Sequence, residues 1–303
     1  MPDDRLRCRY CAEPKLQETA MITRPPAHLA GWTQAIRDAE IPVLSRTAQA
    51  IDAMREQEDD VAPRAIAEVV LDDPLMALKL LAHVARNRPA RVVTDTETVT
   101  AALLMMGTSN FFRAFAGQAT VEARLGAIPG AVEGVERVVR RAHRAARFAL
   151  GFAMHRLDTD AEIIQEAALL HDFAEALLWC HAPMLALEIE RRMRADASLR
   201  SAHAQRELLN IELCDLEQAL MKAWRLPELL QLLTNDHLRD VPRVRNVLLA
   251  TALARHSDRG WSNPALPDDV QAIAQLLNVS SASVWSMLRD LDQTAAEEVP
   301  IAC

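Results

Sequence analysis

Residues 167–179 read Ala-Ala-Leu-Leu-His-Asp-Phe-Ala-Glu-Ala-Leu-Leu-Trp. Apart from His171, Asp172 and Glu175 the stretch is apolar, rich in alanine and leucine, and free of glycine and proline. That composition predicts a helix over about 161–180, buried nearly all round. A histidine and a carboxylate are costly in such a place unless each has a hydrogen-bond partner, an ion-pair partner or a metal. His143 lies 28 residues upstream, in Arg-Arg-Ala-His-Arg-Ala-Ala-Arg-Phe-Ala (140–149). Imidazoles and carboxylates on neighbouring helices are the donors with which a protein holds a divalent ion that activates water against a phosphoester. The structural alternative is a buried polar pair that fixes helix register, with Asp172 taking an arginine from the preceding helix.

Outward from this stretch the chain reads as helical throughout. Its 303 residues are half hydrophobic and a quarter charged, with 8 glycines and 1 tyrosine. This is the balance of a globular chain built from helix formers, and it excludes an all-β or largely disordered protein. Pro42, Pro63, Pro74, Pro89, Pro129, Pro183, Pro227, Pro242 and Pro267 divide it into segments of helix length, because proline lacks a backbone donor and suits a first helical turn. Ile66, Val69 and Val70 follow helical spacing; Asp73 then caps the next helix, Pro74 opens it, and Leu75, Leu78, Leu81 and Ala82 share a face. The expected fold class is all-α. After a flexible tail (1–28), one helical half (29–125) packs on a second (126–293), and a short tail follows (294–303). Trp32, Phe111, Phe112 and Phe115 are expected to seal the joint between the halves.

Thirty-four basic residues, all but three of them arginine, face 42 acidic ones. A net charge of −8 argues against a general nucleic-acid binder. No apolar run approaches a membrane span and no secretory leader is visible, so a cytoplasmic protein is expected. Five cysteines scattered over the chain do not make a disulfide framework. Cys8 and Cys11 form a CxxC with no second pair nearby, read as two free thiols in the tail.

Several ordered segments resemble the HDOD domain, a relative of the HD and HD-GYP phosphohydrolases, over roughly 29–292. They are Glu40-Ile41-Pro42-Val43-Leu44, Val69-Val70-Leu71-Asp72-Asp73-Pro74-Leu75 with the leucine-rich run Leu78–Val84, Thr94–Gly107, Leu169–Asp172 and Glu207–Pro227. The resemblance implies an HD-like second half in which His143, His171 and Asp172 are the residual positions of a metal site. It also shows what has gone. Glu212-Leu213 stands where the catalytic relatives have Asp-His, Thr251 stands where they have a later aspartate, and no Gly-Tyr-Pro occurs. Asp236, His237, His256 and Asp258 would replace the missing ligands only through a changed geometry. No catalytic residue, metal or cofactor is therefore expected, and the implied role is a non-catalytic bacterial regulatory module of signal transduction.

Two alternatives stand beside it. One is an HD-type metal-dependent phosphohydrolase acting on a cyclic dinucleotide with an incomplete site. The other is a DNA-binding regulator through 267–292, where Val270–Leu291 reads as two short helices with Asn278 in the turn and Ser280 as a cap. One basic residue against six acidic ones from Asp268 onward speaks against a duplex. Arg137, Arg140, Arg141, Arg144 and Arg147 share a helix face within 135–155, which reads either as an anion or partner surface or as a face paired with nearby carboxylates. The expected partners are signalling proteins rather than membrane or nucleic acid, with a homodimer left open.

Overall fold

The computed structural model describes residues 21–87, 97–196 and 198–297, with side chains as far as Asp292; Cys8 and Cys11 lie outside them. The described residues are helical and form no β-strand: α1 (Leu29–Arg37), α2 (Ser45–Arg55), α3 (Pro63–Leu71), α4 (Pro74–Arg86), α5 (Val99–Met106), α6 (Thr108–Ala114), α7 (Val121–Leu125), α8 (Ala131–His155), α9 (Ala161–Leu170), α10 (Phe173–His181), α11 (Pro183–Ala195), α12 (Ser201–Leu209), α13 (Leu213–Trp224), α14 (Glu228–Leu233), α15 (Pro242–His256), α16 (Leu266–Leu277) and α17 (Ser281–Glu297). None is long and apolar enough to cross a membrane.

Pro63, Pro74, Pro183 and Pro242 each open a helix, where a missing N–H costs nothing. Asp73 does more than cap α4. Its carboxylate accepts from the Leu75 and Met76 amides and, at 2.7 Å, from Leu44 N–H before α2. One buried side chain thus ties two helix starts together.

The spine is α8, which packs against α9, α10, α15 and α17. It begins at Ala131, a turn earlier than its apolar spacing suggests, and buries Val135, Val138, Val139, Ala142, Ala146 and Ala149. The main apolar core runs from Trp32, Phe111, Phe112 and Phe115 to Phe148, Phe152 and Trp224, and Ala142, Ala146 and Leu169 form a small second cluster. Helix α1 lies on α13. Trp224 Nε1 of α13 donates to Arg37 O at the end of α1 (3.2 Å), and Trp32 Nε1 of α1 donates to Leu209 O at the end of α12 (2.8 Å), so both indoles satisfy their polar atoms. Phe111, Phe112 and Phe115 instead cluster with one another and with His83. Residues 21–28, read as part of a flexible tail, are docked: Ile22 N–H donates to His181 O and Asn210 donates to Pro26 O.

A buried carboxylate also joins α9 to α5. Both Glu166 oxygens accept the Val99 amide (3.1 and 2.9 Å), and burial lifts its pKa to about 8. Because the folded pKa lies above the unfolded one, Glu166 contributes stability in acid that is lost as pH rises from the ordinary glutamate range through about 8. The expected result is that Glu166→Gln is the less stable protein at pH 6, where its amide N–H₂ lacks an acceptor. By pH 9 the gap in thermal midpoint should close or reverse. Melting curves by circular dichroism across that range test it; a gap that does not change with pH would show that Glu166 titrates normally.

Candidate functional site

The helix expected over 161–180 is interrupted at the His-Asp pair. Helix α9 ends at Leu170, and α10 restarts from the Asp172 carbonyl, which accepts the Glu175 and Ala176 amides. Aspartate disfavours a helix interior and suits a start, and here strong side-chain partners hold both residues in the break. Both are nearly inaccessible.

Each oxygen of Asp172 is taken by a guanidinium. Arg141 of α8 donates to Oδ2 (3.2 Å) and also to Glu175 Oε2 (2.7 Å); Arg255 of α15 donates to Oδ1 (2.5 Å). Burial alone would raise the pKa of Asp172, but Arg255, His171 and Arg141 outweigh it and hold the carboxyl well below the usual range. His171 is bound at both ring nitrogens: Nδ1–H faces Asp172 Oδ1 (3.3 Å) and Nε2–H donates to Asp236 Oδ1 (2.9 Å). Burial opposes its charge, yet these two hydrogen bonds prevail and lift its pKa to about 10. It is an imidazolium at neutral pH. The fourth carboxyl, Glu217 of α13, is buried with Oε1 unbonded, and burial pushes its pKa well up. Three cations therefore face three carboxylates, and burial favours the protonated form of Glu217.

This arrangement does not fit a divalent ion. A metal-binding imidazole must be neutral with a free lone pair, and a ligating carboxylate must have an oxygen to give. Both His171 nitrogens face carboxylates, and both Asp172 oxygens point at guanidiniums. Among the described residues no group of three or more His, Cys, Asp or Glu is placed to hold a metal. His143 is also elsewhere. Its Nε2–H donates to the Asp72 carbonyl (3.1 Å), across from α8 to the end of α3, and burial lowers its pKa so that it stays neutral. The expected trio of His143, His171 and Asp172 is thus not a cluster; only the adjacent pair meets.

Of the four residues considered as replacements, Asp236 does reach His171. His256 pairs with Asp269 (2.6 Å), and His237 lies 3.8 Å from Asp215. Thr251 turns its hydroxyl back to Val247 O (2.9 Å). Arg255, one helical turn later, enters the site instead. Sequence reading missed Arg255 and Glu217. An arginine one turn beyond the vacant aspartate position was the available signal for the first.

The arginine face of α8 is largely satisfied within the chain. Arg137 pairs with Glu190 (2.6 Å), Arg141 with Asp172 and Glu175, and Arg144 with Asp292 (3.1 Å). Arg140 is exposed. The C-terminal pair has the expected shape, with Asn278 left-handed in the turn and Ser280 Oγ accepting the Ser283 amide. Both helices pack into the body, α16 on α15 and α17 on α8.

The profile of the HDOD domain matches residues 41–239. The chain belongs to the HDOD family. Among solved structures this HDOD chain is similar to the MmoQ response regulator of Methylococcus capsulatus, with 19% identity, a TM-score of 0.64, and 82% of this chain and 98% of that one covered. It is also similar to a virulence factor of Campylobacter jejuni, with 15% identity, a TM-score of 0.60, and 88% and 99% covered. At such identities the likeness is one of fold. No curated protein matches the sequence.

Proposed function

We propose that this HDOD chain is a non-catalytic regulatory module of signal transduction that acts in the cytoplasm by binding protein partners. One observation carries the reading: the Asp172 carboxylate is held between Arg141 and Arg255 while His171 is bonded at both nitrogens. Two guanidiniums supply the positive charge that a hydrolase would take from a metal. Unlike a metal, they offer no open position for water or for a phosphoester. The similarity to the Methylococcus response regulator supports a signalling role.

The test is a titration of the purified chain with Mn²⁺ by calorimetry, together with a phosphodiesterase assay on bis(p-nitrophenyl) phosphate and a cyclic dinucleotide in the same ion. Neither stoichiometric binding nor turnover is expected. Turnover that Asp172→Asn or His171→Gln abolishes while the fold persists would overturn the proposal in favour of a phosphohydrolase.

A further inference from the structure

Helix α17 is the last helix of the chain and lies beyond the residues that the HDOD profile matches. It is thinly held. Among its described side chains only Val284 and Leu288 are buried, whereas α16 buries six. A terminal element with few buried apolar contacts is the kind that opens locally while the body stays folded.

Its seat is specific all the same. On α8, Gly151 leaves a notch for Leu291, whose Cδ1 would lie 2.6 Å from a Cβ at that glycine. Trp285 meets Trp261, in the turn after α15, edge to face with 5.8 Å between centroids. Arg144 of α8 donates to both oxygens of Asp292 (3.1 and 3.2 Å). Its guanidinium also lies over the rings of Phe148 (5.6 Å) and Trp261 (5.8 Å). Lifting α17 away bares Phe148, Trp261 and the notch, and strips a largely buried arginine of its counter-charge. The helix that suits the open seat carries an aromatic and two leucines at three-residue spacing, then a carboxylate. Trp285, Leu288, Leu291 and Asp292 of α17 are that pattern.

The connection to α17 favours exchange. Helix α16 ends at Leu277 and α17 begins at Ser281, so three residues join them, none of them proline or glycine. Asn278 makes the reversal with a left-handed backbone (φ 55°). Bringing this connection to right-handed helical backbone, the default for L-residues, runs α16 on into α17 and carries α17 off its own α8. Two chains opened in this way fill each other's seats about a two-fold axis, and the contacts of the closed monomer are remade between copies.

We propose that α17 is an exchangeable arm, which leaves its seat on α8 and is replaced there by α17 of a second copy. The tethered helix holds the seat through its effective concentration, so the monomer prevails in dilute solution and the exchanged dimer gains as concentration rises.

Charge reversal at the ion pair tests this. Arg144→Asp alone, and Asp292→Arg alone, each set like charges across the seat. When the two variants are mixed, the arm of each matches the seat of the other. Sedimentation velocity should then find a mixed dimer at least about tenfold tighter than the self-association of either variant. Arg144→Asp and Asp292→Arg combined in one chain restore the pair within the monomer and should return wild-type behaviour. In native-state hydrogen exchange of the wild type, α17 amides should exchange at least about tenfold faster than those of α8 and α16. A mixture no more dimeric than its components, or α17 amides that exchange only together with those of α8, would overturn the proposal. So would single variants that dimerise as tightly as the mixture, since another surface would then join the copies. The metal and turnover tests do not depend on where α17 sits, so the two readings can fail separately.

Discussion

Asp172→Ala is expected to destabilise the protein by about 3–5 kcal/mol, the cost of leaving a buried charge without its partner. For a chain of this size that is a drop in thermal midpoint of roughly 6–15 °C. The size follows from what stays behind. Arg141 and His171 are almost wholly buried and both lean on this carboxylate. Arg255 also loses its partner, but its side chain is 46% exposed and can turn to water. Arg255→Ala should therefore cost less than Arg141→Ala, and Asp172→Asn less than Asp172→Ala because the amide keeps an acceptor. The pH dependence has a definite sign. The depressed pKa of Asp172 gives stability present above the ordinary aspartate range and lost as pH falls through the lowered value. The raised pKa of His171 gives stability present below the ordinary histidine range and lost as pH rises through about 10. The gap between wild type and Asp172→Ala should be fullest between about pH 4 and 6.5 and shrink on either side. Chemical denaturation at three pH values measures it. An unchanged midpoint at pH 6 would mean that the carboxylate is solvated and would reopen the metal question.

What made the fold legible in the sequence was local. Proline at a helix start and aspartate before it are decisions taken within four residues, so Asp73-Pro74 could be placed without knowing what surrounds it. The same holds for Asn278 and Ser280 in the last turn. The His171–Asp172 pair stood out because an apolar context makes any polar group conspicuous. An arginine from the preceding helix was expected for Asp172, and Arg141 takes that place; Glu217 and Arg255 did not stand out, because only tertiary packing brings them to the pair. The spacing that set His143 28 residues before His171 suggested a shared site. The helix ladder instead turns His143 toward Asp72. The break between α9 and α10 was hidden for the same reason: alanine and leucine propensity runs straight through it, and long-range ion pairs at two residues override that propensity.

Gly134→Ala tests how closely the core is packed, and there propensity and packing pull in opposite directions. In a helix interior alanine is better than glycine by about 1 kcal/mol, so α8 by itself would gain. But a Cβ at Gly134 would lie 2.5 Å from Cδ2 and Cε3 of Trp179 and 2.6 Å from Cε2. The indole is buried, rests on the helix at that point and lies beside Arg137 (5.8 Å to the ring centroid). A flat ring held between α8 and α10 cannot bend away as a chain end can. Overpacking of this kind costs about 1–3 kcal/mol or more, and moving α8 off α10 would disturb the segment that presents His171 and Asp172. A net loss of roughly 2–3 kcal/mol is expected after the propensity gain. Gly151→Ala is the control on the same helix. Its Cβ would meet Leu291 Cδ1 at 2.6 Å, the far end of a flexible side chain on α17, which can change rotamer. That substitution should lie within about 1 kcal/mol of neutral. Urea midpoints of the two variants decide the matter. If Gly134→Ala is as benign as Gly151→Ala, then Trp179 is free to shift and α8 does not hold α10 in register.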